Sequence, residues 1–119
     1  MDFHNTKPIY LQIADYICEE ILGKKWGIGE KIPSVREMAI DLQVNPNTIA
    51  RTYLFLEEKN IIKTQRGIGY FVTAESQQAI TSFKKEEFLT IDLPRIFKTM
   101  NLLEISFEDF QQLYKKRGK

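Results

Sequence analysis

Asn47, Thr48 and Arg51 put an amide, a hydroxyl and a guanidinium into one short stretch, VNPNTIARTY, residues 44–53. An amide can bond adenine with two hydrogen bonds, a guanidinium can do the same to guanine, and a threonine methyl can touch the methyl of thymine. On a helix turning about 100° per residue, Ile49, Tyr53 and Leu56 share one face. Asn47 and Arg51 point away from it, with Thr48 at the flank. The sole charge from Asn45 to Leu56 is Arg51, so no acid would repel a phosphate there. A helix start also offers unpaired N–H groups to an anion. The local alternative is that Asn45-Pro-Asn-Thr48 is simply a strong cap, with Asn47 and Thr48 bonding backbone.

Two neighbouring features bear on the choice. Arg36 falls in the first turn of the preceding helix, where a base could reach a DNA backbone or could pair with Asp41. Gln65, Arg66 and Gly67 form the tip of a hairpin. One Arg beside a residue without a side chain suits a minor groove, whose negative potential attracts Arg; the alternative is a plain turn. Lys63 adds charge, and no acid lies between Lys59 and Ala74.

The elements that must hold these groups follow from periodicity and punctuation. Pro8 opens a helix in which Tyr10, Ile13, Ile17 and Ile21 recur at spacings of three and four. Its missing N–H would have had no partner at that position. Gly23, Gly27 and Gly29 make a loop. Ser34 and Glu37 form a capping box, predicting a helix over 35–42. Gln43 and Val44 turn tightly. Asn45 and Pro46 then start a helix that runs to about Lys59, with Asn60 suited to a left-handed C-cap. IIKTQRGIGYFV reads as two strands around a Gly-containing turn. A short helix, a tight turn, a long helix and a hairpin describe a winged helix-turn-helix over residues 1–73.

Residues 74–119 differ. They hold Phe83, Phe88, Phe97, Phe107 and Phe110, out of eight Phe in the chain. Ile96, Phe97, Met100 and Leu103 make one helical stripe; Phe107, Phe110, Leu113 and Tyr114 make another. Ser106 and Asp109 give a second capping signature, and Pro94 should break or kink a helix starting near Ser76. Such a segment is too short to enclose its own core. Its stripes either pack back on the same chain or pair with a second copy. The fold class is therefore mainly α with a small β-hairpin, a winged helix-turn-helix followed by a short helical tail.

Composition bounds the rest. The chain has 119 residues, 43% hydrophobic, with net charge +1 from 17 bases and 16 acids. No run approaches the ~18 apolar residues a membrane span needs. MDFHNTK does not read as a secretory leader, and a single Cys18 gives neither a disulfide nor a structural zinc site. A cytoplasmic chain without metal or cofactor is expected. Catalysis finds little support. His4 is the one histidine, no nucleophile has a base at a recognisable spacing, and RGIGY lacks the context of a phosphate cradle.

Pro8-Ile-Tyr-x-Gln-Ile13, Ile32-Pro-Ser-Val-Arg-Glu37, Val44-Asn-Pro-Asn-Thr48, Arg51 and Arg66-Gly-x-Gly69 together resemble the GntR family of bacterial transcriptional regulators. The short YtrA-like branch is the nearest likeness. The resemblance is specific from residue 7 to about 73. It implies a repressor that binds double-stranded DNA as a homodimer, paired through a helical C-terminal region. The family's DNA contacts would fall on Arg36, Asn45, Asn47, Thr48, Arg51, Arg66 and Gly67, with Gln65 beside them at the wing tip. The pairing residues would include Phe83, Phe88, Ile96, Phe97, Met100, Phe107, Phe110 and Leu113. An effector site, if present, would be small or formed across a dimer. The sequence departs from the family pattern at Gln43, where Gly is usual, at Ala50, where many relatives carry a base, and at Tyr70, where Thr is common. Leu54 and Phe55 lie on the outward side of the second helix past its leading turns, where packing against the N-terminal segment or a tail helix is expected. The alternative function is a winged helix used for protein or RNA contact. The operator, the regulated genes and the choice between repression and activation are not legible.

Overall fold

The structure, a computed structural model, describes residues 7–118. His4 lies outside the described residues. The first helix, α1, spans Ile9–Leu22 behind Pro8 and buries Ile13, Ala14, Ile17, Cys18 and Ile21 on one face. After the glycine loop comes a two-residue strand, β1 (Lys31–Ile32). Helix α2 (Val35–Leu42) starts at Ser34, whose Oγ accepts the Glu37 N–H at 3.0 Å while the Glu37 carboxylate accepts the Ser34 N–H at 2.9 Å. The Ser34 backbone N–H first, and the Ser34 hydroxyl next, hold the Glu37 carboxyl below its usual range.

Gln43 takes the left-handed conformation, φ 56 and ψ 50, and the N–H groups of Gln43 and Val44 close the last carbonyls of α2. A Cβ strains this conformation, which is why Gly is the common residue in it. The turn delivers the chain into α3 (Pro46–Glu58), whose Ile49, Tyr53 and Leu56 are completely buried between α1, α2 and the sheet. Thr52 is also fully buried, its Oγ1 lying 2.9 Å from the Tyr10 carbonyl and 3.0 Å from that of Thr48. This hydroxyl fixes α3 to the first turn of α1. Asn60, with φ 63, turns the chain out of the helix.

Strands β2 (Ile62–Gln65) and β3 (Gly69–Val72) form the expected hairpin, but the sheet has three strands in the order β1-β3-β2, all antiparallel. Strand β1 shows no alternation because it is two residues long and ends at Pro33, so nothing in its sequence marks it as a strand. Thr73 fastens the end of β3, its Oγ1 donating to the Asn60 carbonyl at 2.7 Å.

Helix α4 (Ser76–Glu87) begins against this core, burying Ser76 and Ile80. Packing divides the chain between Phe83 and Lys84 into two units. The second contains a π-helical turn (Phe88–Asp92), then α5 (Leu93–Leu102) and α6 (Phe107–Lys116). Pro94 lies in the first turn of α5, and the N–H of Leu93 before it bonds five residues back to Phe88. A proline has no N–H and its ring crowds the carbonyl four residues earlier; the wider turn accommodates both. The Ser106–Asp109 capping box is present at α6. No helix among the described residues is long and apolar enough to cross a membrane.

Candidate nucleic-acid interface

The turn between α2 and α3 exposes one end of α3. Asn45 caps it, its Oδ1 accepting the Asn47 N–H at 2.7 Å. The capping alternative therefore holds for the oxygen of Asn45, whose side-chain NH2 is left to bond elsewhere. No side-chain bond of Asn47 is formed among the described residues, and its amide is exposed. Thr48 is half-buried, its carbonyl shared with Thr52. Arg51 is exposed one turn later, on the side opposite the buried face. Its guanidinium carbon lies 4.0 Å from the centre of the Tyr10 ring.

Arg36 is exposed in the first turn of α2 and forms no ion pair with Asp41. At the hairpin tip the Ile68 N–H bonds to the Gln65 carbonyl at 2.9 Å, and Gly67 takes φ 78, open to glycine without steric cost. Gln65, Arg66 and Gly67 are all exposed. The strand register adds a residue that sequence reasoning missed. Lys31 of β1 and Lys63 of β2 both stand opposite Phe71, so the two lysines flank it on one face of the sheet, and both are exposed. Lys31 also crosses Gly69, where an added Cβ would stand 2.7 Å from its Cε. Tyr10 is a second missed residue: its place in an apolar helical stripe marks it for the core, yet its ring meets a charged side chain at the surface.

Leu54 and Phe55 part company. Leu54 is 56% exposed. Phe55 is half-buried, edge-on to Tyr10 at 6.3 Å and to Phe83 at 5.6 Å between ring centres. Tyr70 packs edge-on to the buried Tyr53 at 4.8 Å, stiffening the wing from beneath.

In the second unit the residues named for pairing are exposed or half-buried. Phe88, Phe97, Phe107, Phe110 and Leu113 are exposed, while Ile96 and Met100 are half-buried. Among the described residues no group of His, Cys, Asp or Glu is arranged to hold a metal ion.

Residues 9–72 match the model of the bacterial regulatory proteins of the gntR family. The HTH-type transcriptional regulator YhcF of Bacillus subtilis is 50% identical over 82 residues, which are 69% of this chain and 67% of the relative. The transcriptional repressor YtrA of the same organism is 36% identical over 84 residues, covering 71% and 65%. The matched segments thus span about two thirds of these relatives' length. A solved structure of a GntR-family transcriptional regulator from Bacteroides thetaiotaomicron is 38% identical and superposes with a TM-score of 0.79 over 92% of this chain and 95% of that one. These relatives are regulators of transcription, not enzymes. With its winged helix complete from α1 to β3 and the family match running over the same residues, the chain belongs to the GntR family of DNA-binding transcriptional regulators.

Proposed function

We propose that this regulator is a cytoplasmic repressor that binds a roughly palindromic operator as a homodimer and blocks the promoter it covers. Asn47, Thr48 and Arg51 read base edges in the major groove, with the Asn45 NH2 beside them. Arg36 holds the backbone, and Gln65, Arg66 and Gly67 enter the minor groove. The observation that carries this reading is the two-sidedness of α3: Ile49, Tyr53 and Leu56 are sealed in the core while the side bearing Asn47 and Arg51, free of acids until Glu58 at the far end, is open. Residues 1–73, with the start of α4 packed on them, take the DNA.

Pairing falls to the helices beyond. From Thr81 to Gly118 no residue is buried, and Phe97 and Leu113 stand 53% and 67% exposed. Apolar stripes of that extent, on a unit too small for a core, support burial against a second copy. Two recognition helices would then enter successive major grooves about 34 Å apart.

Selection of bound fragments from random duplexes tests the reading. A consensus with two inverted half-sites about one helical turn apart is the expected result. Recovery of no consensus, or equal competition by duplex RNA, would exclude it.

A further inference from the structure

We propose that Tyr10 is a positioning residue for Arg51, holding the guanidinium flat on its ring so that the edge faces a base. This rests on α3 being the base-reading helix. A guanidinium carries its five N–H donors in its own plane and offers its face for stacking. The guanidinium carbon lies over the Tyr10 ring, 4.0 Å from its centre, within stacking reach; a guanidinium laid face-on there keeps its donor edge free for a two-pronged bond to guanine. No carboxylate competes for that edge among the described residues.

The platform is itself fixed. The Tyr10 backbone is held by the Thr52 hydroxyl at 2.9 Å, and its ring is braced edge-on by Phe55. Arg51 and Thr52 are neighbours in α3, so the residue that carries the guanidinium and the residue that anchors its platform move as one piece. The Tyr10 hydroxyl enters no hydrogen bond among the described residues, so the ring face is the working part. Seating on DNA removes water from the pair, which strengthens a cation–ring attraction. Tyr10 thus contributes to sequence preference without touching a base.

The test uses the full chain, a selected operator duplex and a scrambled duplex of the same length, with affinities from fluorescence anisotropy at one salt concentration. Tyr10→Leu should lower the operator-to-scrambled affinity ratio by about threefold to thirtyfold and leave the scrambled affinity unchanged. Tyr10→Phe should keep the ratio. In an Arg51→Ala background, Tyr10→Leu should cause no further loss. Where leucine unfolds the chain, pentafluorophenylalanine at position 10 keeps the ring's shape while reversing its face potential, and should lower the ratio as leucine would. An unchanged ratio in Tyr10→Leu, or equal weakening on both duplexes, overturns the positioning role while Arg51→Ala still loses selectivity. If Arg51→Ala itself keeps full selectivity, the assignment of α3 as base reader fails instead.

Discussion

The Tyr53 hydroxyl donates to the Pro33 carbonyl at 2.7 Å, tying the middle of α3 to the end of β1. The Tyr53 side chain is fully buried, and its bond reaches out to the half-buried Pro33. Tyr53→Phe leaves that carbonyl without this donor and should cost about 0.5–1.5 kcal/mol at neutral pH. Burial, aided by Tyr70, Glu37 and Asp41, pushes the Tyr53 phenol well above its ordinary 10.0. The folded state then holds this proton more tightly than the unfolded chain does. Stability from the neutral phenol is intact below pH 10.0 and is lost as the pH rises beyond it. Urea melts of both proteins should therefore converge in alkali, with wild type losing more between pH 7 and about pH 10.5. Parallel losses would mean that this proton is not linked to folding.

Gln43 stands at φ 56, a conformation that penalises a Cβ. Gln43→Gly removes that strain but frees the unfolded chain, and the net gain should be about 0.5–1 kcal/mol. Thermal melting should show a rise of roughly 2–6 °C. A fall would mean that the glutamine side chain makes a stabilising contact outweighing the strain.

Arg66 and Arg36 are exposed and are assigned to DNA away from the major-groove base edges. Arg36→Ala should weaken operator and scrambled duplexes alike and reduce the slope of log affinity against log salt by about 1. Arg66→Ala should do the same with an added preference lost where the operator's minor groove is narrow. Titrations at several salt concentrations separate the two; an unchanged slope for both would remove the wing and α2 from the contact.

The place to cut the chain is set by Ile80, which is 1% exposed and belongs to the winged-helix core. A protein ending at residue 73 loses that side chain and should be destabilised as well as shortened. Ending at Phe83 keeps it. That version should sediment as a monomer and bind single half-sites weakly, whereas the full chain should sediment as a dimer. A dimer persisting at this length would move the pairing surface off the helices beyond Lys84.

Much of this architecture was legible because its signals are local. Ser34 with Glu37, Asn45 with Pro46, and Asn60 at φ 63 each mark a boundary through their own backbone chemistry. The buried face of α3 followed from spacing alone. What escaped depends on residues far apart in the chain. Strand β1 exists because Lys31 and Ile32 find Phe71 and Tyr70 across forty residues or so of sequence. The place of Tyr10 beneath Arg51 needs α1 packed on α3, a relationship no periodicity encodes. Phe55 meets the expected partners, Tyr10 of the N-terminal helix and Phe83 of α4, whereas Leu54, expected to pack likewise, stays exposed.

The π-helical turn at Phe88–Asp92 works as a clocking device. It spends an extra residue in one revolution, so every side chain beyond it is rotated about the axis relative to an uninterrupted α-helix, by about 100° for one residue. The azimuth at which α5 presents Phe97 is thus governed by backbone winding upstream rather than by its own composition. Removing a single residue from that turn would swing the apolar stripe of α5 about a quarter of the way around while leaving its sequence untouched.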